Sequence, residues 1–314
     1  MIGFETNEDV QTQQAVRFKE ALTNLGPAFV KVGQQVAIRP DLVPPSVLKE
    51  LQKLCDSVKP VPDEVAMKVL REELFGSSDD CNDNTSSASS LDDIFEDLHL
   101  VASASIGQVY KAKLKSSGEW VAIKVQRPNM EKAFGLDLFL LQLWGDFVDA
   151  FTNVFTKQVP FHSAFFDAFS KGSYSELDYE NEARNQIHFQ KELADRNCKV
   201  KVPNVYQEYC TQRVLTTEWI QGVKLADSSK ETIRELIPVG VELFLTQLLD
   251  MGAFHSDPHP GNLLRTPDGK LCILDWGMVL DVPNDLQLSL LEFIADLNAE
   301  NYEDVPLDLV FIAY

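Results

Sequence analysis

Three short strings in fixed order constrain this chain more than any other feature: Val121-Ala122-Ile123-Lys124, His255-Ser256-Asp257-Pro258-His259-Pro260-Gly261-Asn262, and Leu274-Asp275-Trp276-Gly277. Each demands a particular backbone. A lysine at the end of an apolar run belongs on a strand, and its ammonium needs a partner because burying it alone is expensive. Asp257 and Asn262 share one loop, in which Pro-His-Pro-Gly makes a rigid turn and Gly261 permits close backbone approach. Asp275 follows the run Leu271–Leu274, which reads as a strand paired with Asn262–Arg265 across the turn Pro267-Asp268-Gly269-Lys270. The set supplies a cation for phosphates, an aspartate to accept a proton, and an Asn and an Asp to bind a divalent metal. A snorkelling lysine, a turn aspartate and a hairpin-end carboxylate are the bland alternatives, and all three would have to hold together.

Composition narrows the setting. The chain has 314 residues, 45% apolar and 24% charged, which is ordinary for a globular protein. Its formal charge of −20 argues against nucleic acid, because phosphate neutralisation needs clustered Lys and Arg. Five cysteines (Cys55, Cys81, Cys198, Cys210, Cys272) without C-x-x-C spacing fit reduced thiols better than a disulfide framework or a zinc site. No apolar run is long enough to span a membrane. The longest stretches, Phe134–Phe155 and Val239–Leu249, are broken by polar residues and are expected to be buried helices. The opening MIGFETNEDV resembles neither a signal nor a transit peptide, so no targeting segment is expected in this chain.

Apolar residues at three- and four-residue steps predict helices over 12–55, with a break at Pro44-Pro45 and Ser46 as N-cap of Val47–Leu54. Pro60–Pro62 reads as a linker, and Asp63 caps a helix to Phe75. Residues 76–92, rich in Ser, Asp and Asn, read as a flexible acidic insertion. Strands are expected at His99–Val101, Val109–Leu114 and Trp120–Val125, the first two flanking a loop Ala102–Gln108. Helices follow at 130–157 and 161–172, then a long charged helix from Glu176 to Arg196. Strands at Val202–Tyr209 and Arg213–Ile220 precede a helical stretch at 229–252. The expected organisation is a helical extension (1–75), the insertion (76–92), a strand-rich lobe with inserted helices (93–220) and a helical lobe (221–314).

The three strings match the protein-kinase signature. Four further features resemble the UbiB family of atypical kinase-like proteins, the aarF-domain kinases. These are Lys31-Val32-Gly33-Gln34, similar to the K-x-G-Q motif, and Ala102-Ser103-Ala104-Ser105-Ile106-Gly107-Gln108, similar to the Ala-rich loop that replaces Gly-x-Gly-x-x-Gly. Glu176-Leu177-Asp178 with Glu182 resembles the E-x-D motif and its helix glutamate, and His255-Ser256-Asp257 stands in place of H-R-D. The resemblance spans roughly residues 15–300. It departs at Ser103 and Ser105, where alanines are common, and at Trp276, where Phe is commoner. The chain also stops soon after Asp275, where the family continues, so a short helical lobe is expected.

The resemblance implies an α+β, two-lobed kinase-like fold that binds ATP/ADP and Mg²⁺. It makes Asp257, Lys124 and Glu182 catalytic, with Glu182 keeping Lys124 charged and aimed; composition alone leaves Glu182 equally open to being a solvated helix face. It makes Asn262 and Asp275 metal ligands. Lys31, Gln34, Ala102, Ser103, Ala104, Ser105, Gly107, Glu176, Asp178 and Glu218, with Lys124, fall on the nucleotide side. In that picture the Lys31/Gln34 helix covers the cleft, and Glu176 or Asp178 pairs with Lys31. Without such a cover, Lys31 and Gln34 belong to a polar helix stripe with Gln35 and Arg39. The implied role is support of prenyl-quinone biosynthesis or lipid homeostasis, with membrane lipid or quinone-biosynthesis proteins as partners, peripheral to a plastid or mitochondrial membrane. SSGEWVAIKVQRP and LDWGMV lean towards plastid members. A small-molecule phosphotransferase, which would lack the Lys31/Gln34 helix, and a nucleotide-gated scaffold are the alternatives.

Overall fold

The alternation in Val109–Leu114 and Val121–Val125 becomes an antiparallel sheet whose two faces do different work. The computed structural model describes residues 8–37, 39, 41, 43–56, 59–76, 90–156, 160–257 and 260–313. Most of the expected insertion lies outside the described residues, as do Pro258 and His259. The elements in chain order are α1 (Glu8–Leu25), α2 (Pro27–Ala37), α3 (Pro45–Leu51), α4 (Lys53–Asp56), α5 (Asp63–Phe75) and α6 (Leu91–Ile94). Then come β1 (Phe95–Ser103), β2 (Gly107–Leu114), β3 (Trp120–Gln126), α7 (Met130–Phe155), α8 (His162–Ser175), α9 (Tyr179–Asp195), β4 (Val200–Lys201) and β5 (Val214–Glu218). The rest are β6 (Val223–Lys224), α10 (Lys230–Thr246), a π-turn (Gln247–Met251), β7 (Ala253–His255), β8 (Leu263–Arg265), β9 (Leu271–Ile273), β10 (Val279–Asp281), α11 (Asn284–Asn298) and α12 (Val305–Ala313). The chain divides into two compact units, Met1–Ala183 with Val205–Trp219, and Arg184–Asn204 with Ile220–Tyr314.

In the first unit the sheet order is β1-β2-β3-β5, antiparallel throughout. Tyr110, Ala112 and Leu114 of β2 and Val121, Ile123 and Val125 of β3 point to one face and bury Ala66, Val69 and Leu70 of α5. Because successive strand residues alternate, Lys124 lies on the opposite face. There Tyr179, Ala183 and Leu215 form a smaller apolar cluster. Helices α1, α2, α3 and α4 enclose a separate core of Leu22, Val30, Val47, Leu51 and Leu54. The second unit carries the sheets β4-β9-β8-β6 and β10-β7. Its core gathers Phe189, Leu193, Leu243, Ile273 and Trp276.

Several local expectations differ from the structure. Helix α3 starts at Pro45, with Pro44 as N-cap, because a first-turn proline has its φ preset and no N–H to satisfy; the Ser46 hydroxyl donates to Gln11 instead, at 3.0 Å. Val202–Tyr209 is not a strand: pairing ends at Lys201, Val205 makes one isolated bridge, and Gln207–Tyr209 is a 3₁₀ turn. Pro203 has no N–H for a ladder, and its carbonyl accepts from the Gln186 side chain. Helix α7 is buried near its start, where Met130, Phe134 and Leu138 pack with Ala28 and Leu177, but not along the rest of its length as expected. Phe139, Leu143, Trp144, Phe147, Phe151 and Phe155 are all exposed. Its polar side holds α8 instead: the carboxylate of Asp149 accepts from the backbone N–H groups of His162 and Ser163. In this later stretch the polar residues thus mark the packed side, and periodicity alone cannot say which face a partner takes.

Candidate nucleotide and metal site

On the polar face of β3, Lys124 donates to both carboxylate oxygens of Glu182, at 3.0 and 2.7 Å. The Glu182 side chain is nearly inaccessible, while the ammonium is partly open. The Lys124 ammonium also lies 4.8 Å from the centroid of the Tyr179 ring, a cation–π distance. A lysine fixed by a bidentate partner is aimed rather than mobile, which is what holding a polyphosphate requires.

The loop expected over Ala102–Gln108 is shorter in the structure. Ala102 and Ser103 belong to β1 and Gly107 opens β2, so only Ala104, Ser105 and Ile106 turn, closed by Ala104 N–H on the Gly107 carbonyl at 2.9 Å. Register irregularities in β1, between Glu96 and His99 and between Leu100 and Ala102, let pairing run further than alternation foresaw. Gly107 is required by closeness: a Cβ there would sit 2.8 Å from the Val125 carbonyl oxygen and 2.5 Å from the Tyr179 hydroxyl. The sequence reading missed Arg127, which braces this turn. Its guanidinium donates to the Ala104 carbonyl (3.0 Å), Ser103 Oγ (2.8 Å) and the Lys59 carbonyl (3.0 Å), and its N–H to the Ile106 carbonyl (2.9 Å). The only available cue was an arginine directly after β3.

Lys31 on α2 is buried and forms an ion pair with Glu176. Asp178 accepts from the Asn181 N–H at 3.0 Å, capping α9; that helix therefore begins at Tyr179, not at Glu176. Gln34 donates to the Leu54 carbonyl at 3.0 Å and so ties α2 to α4. Gly33 fits between Leu22 and Leu54, where a Cβ would come within 2.7 Å of each. Asp137 of α7 reaches the start of α2 and accepts from the Ala28 N–H at 3.3 Å. Burial pushes its carboxyl above the usual range, and that hydrogen bond offsets part of the shift. Glu218 closes β5 opposite Val121 and is half-buried.

In the second unit the hairpin β8–β9 sets Asn262 beside Asp275. Leu274 N–H donates to the Asn262 carbonyl at 3.0 Å, and Leu263 pairs with Ile273. Asp275 Oδ1 accepts from Gly277 N–H at 3.0 Å. Asp257 follows β7, whose continuation is pinned by Ser256 N–H on the Met278 carbonyl at 3.1 Å. Trp276 is fully buried against Phe189, and Asn185 donates to its carbonyl at 3.0 Å. Among the described residues no group of three or more His, Cys, Asp or Glu side chains could hold a metal by itself. One carboxylate and one amide oxygen suit Mg²⁺, which keeps water and takes its remaining ligands from phosphate. No thiol offers a competing nucleophile at Cys210, where burial pushes the pKa up to about 11.

A sheet lysine held by a helix glutamate, with Asp and Asn on one loop and Asp before Gly on the next, has the layout of a kinase-like protein. Residues 53–307 match the model of the ABC1 atypical kinase-like domain, and the chain belongs to that family, the UbiB/aarF group. It is 38% identical over 303 residues to Protein ACTIVITY OF BC1 COMPLEX KINASE 3, chloroplastic, of Arabidopsis thaliana, covering 94% of this chain and 40% of that protein. It is 37% identical over 313 residues to the Arabidopsis uncharacterized aarF domain-containing protein kinase At1g71810, chloroplastic, covering 98% and 42%. The chain thus spans less than half the length of these two relatives. The structure of the Rv3197–erythromycin complex from Mycobacterium tuberculosis is similar with a TM-score of 0.57 at 25% identity, covering 96% of this chain and 68% of that one. The fold is the α+β, kinase-like ABC1 fold.

Proposed function

We propose that this chain is the ATP-binding core of an Mg²⁺-dependent atypical kinase or ATPase. The observation that carries the reading is the bidentate Lys124–Glu182 pair, because a nearly buried carboxylate spent on orienting one lysine has little use in a mere scaffold. In this reading Lys124 holds the phosphates, and Ala102, Ser103, Ala104, Ser105 and Gly107 form the turn that covers them. Asn262 and Asp275 bind Mg²⁺, and Asp257 accepts the proton of the attacking group. Lys31 and Glu176 fasten the α2 helix over the nucleotide side, with Gln34, Asp178 and Glu218 supporting. The chloroplastic names of the relatives support a plastid setting. Support of prenyl-quinone biosynthesis or lipid homeostasis at a membrane surface is the role we assign. The exposed apolar side chains of α7 support a lipid partner.

The test is calorimetry of Mg²⁺–ATP binding. Asp275→Asn should abolish binding while circular dichroism stays native, because the variant lacks the charged metal ligand. Binding unchanged by that substitution would overturn the assignment.

A further inference from the structure

Helix α10 does not finish as an α-helix. It passes at Gln247 into a five-residue π-turn, Gln247–Met251, which ends at Gly252 in the left-handed region (φ 67°). Such turns recur at functional sites. The turn opens on Gln247, which is fully buried and accepts from the His255 N–H through Oε1 at 2.8 Å. His255, also buried, donates from Nε2 to the Asp275 carbonyl at 2.6 Å and stands edge-on to Trp276. A second glutamine holds the turn from outside: Gln287 of α11 donates to the Leu248 carbonyl at 3.1 Å.

Packing alone does not account for a glutamine at this place. Its amide nitrogen has no hydrogen-bond partner among the described residues, and neither does His255 Nδ1. A buried polar atom left without a partner is costly, and an apolar side chain of the same size would avoid the cost. What the position uses is the acceptor oxygen. Strand β7 is only three residues long, paired with β10 from His255↔Val279 to Ala253↔Asp281. The Gln247 hydrogen bond therefore fixes where His255 sits along that short strand.

We propose that Gln247 is a positioning residue for the metal-binding carboxylate: through His255 it sets the backbone of Asp275, and the π-turn exists to place its oxygen. This rests on the reading of Asp275 as a Mg²⁺ ligand. Partners that orient a ligand in this way typically change metal affinity about 10–100-fold when removed.

The experiment titrates Mg²⁺ into protein with ATP, and measures ADP binding separately in EDTA. Gln247→Met, which keeps the volume and loses the oxygen, should raise the half-saturating Mg²⁺ concentration about tenfold or more and leave metal-free ADP binding unchanged. Gln247→Glu, which keeps an acceptor oxygen, should restore a dependence close to the original. If Gln247→Met lowers only the melting temperature and leaves the Mg²⁺ dependence alone, Gln247 is a packing residue and the proposal fails. If Gln247→Met does not fold, Gln287→Met is measured instead; it should shift the Mg²⁺ dependence in the same direction, and no shift overturns the proposal. Asp275→Asn is the control: should it also leave the Mg²⁺ dependence unmoved, the metal role of Asp275 is what falls.

Discussion

Lys124 and Glu182 behave as one unit at the residue scale. In the function proposed above, the lysine serves phosphate only while the carboxylate holds it, and removing either partner leaves a charge in a confined place. Lys124→Met and Glu182→Gln should therefore each lower ATP turnover, and the double variant should lose little more, with a coupling of roughly 0.5–3 kcal/mol. Additive losses would mean that Glu182 acts on turnover independently of Lys124. The V-A-I-K string exposed Lys124 in the sequence, and its partner needed the resemblance. Arg127 and Gln247 were invisible there, because both act through backbone carbonyls or N–H groups brought near by folding. A hydrogen bond to another residue's backbone leaves no motif.

At the scale of elements, α2 depends on what meets its N-terminus. Orphan N–H groups open every helix, and here Asp137 of α7 supplies an acceptor across a long sequence separation. The sign of its pH effect follows from its raised pKa. A carboxyl whose folded-state value exceeds the unfolded one favours folding below the usual carboxylate range, and loses that contribution as pH rises through the raised value. Asp137→Asn keeps an acceptor without the charge. Its melting temperature should gain on the wild type as pH rises above about 4, the ordinary aspartate value. A difference that stays flat, or that falls with pH, would show that the carboxylate is not penalised there. Helix existence was legible from periodicity; the anchoring of α2 by α7 was not, since the two residues lie far apart in the chain.

For the molecule as a whole, charge and apolar surface are unevenly shared. The net charge is −20, yet α7 shows solvent a row of aromatic and aliphatic side chains, with Trp144 60% and Phe147 62% exposed. Lys132 is the only basic residue in that helix, so an anionic surface has nothing to attract it there. The lipid partner proposed above would therefore be an uncharged or zwitterionic surface, bound through apolar area alone. The chain should co-sediment with phosphatidylcholine vesicles, gain nothing from added anionic lipid, and lose binding when Phe139 and Phe147 are changed to Asp. Concentration-dependent dimerisation abolished by the same changes, without vesicle binding, would assign the face to a second copy instead.

Sequence alone determined the family and most elements: three strings whose residue types suit phosphate and metal, strands that alternate, and helices with apolar stripes. These are local properties, written in neighbouring side chains. Tertiary structure decided which carboxylate Lys31 meets, how short the turn after β1 is, where α9 begins and which side of α7 stays in water. It also brought Arg127, Asp137 and Gln247 to the backbone groups that they bind. Each of those outcomes depends on a distant segment arriving with a hydrogen bond or a packing surface, and pairings of that kind cannot be read from one stretch of chain.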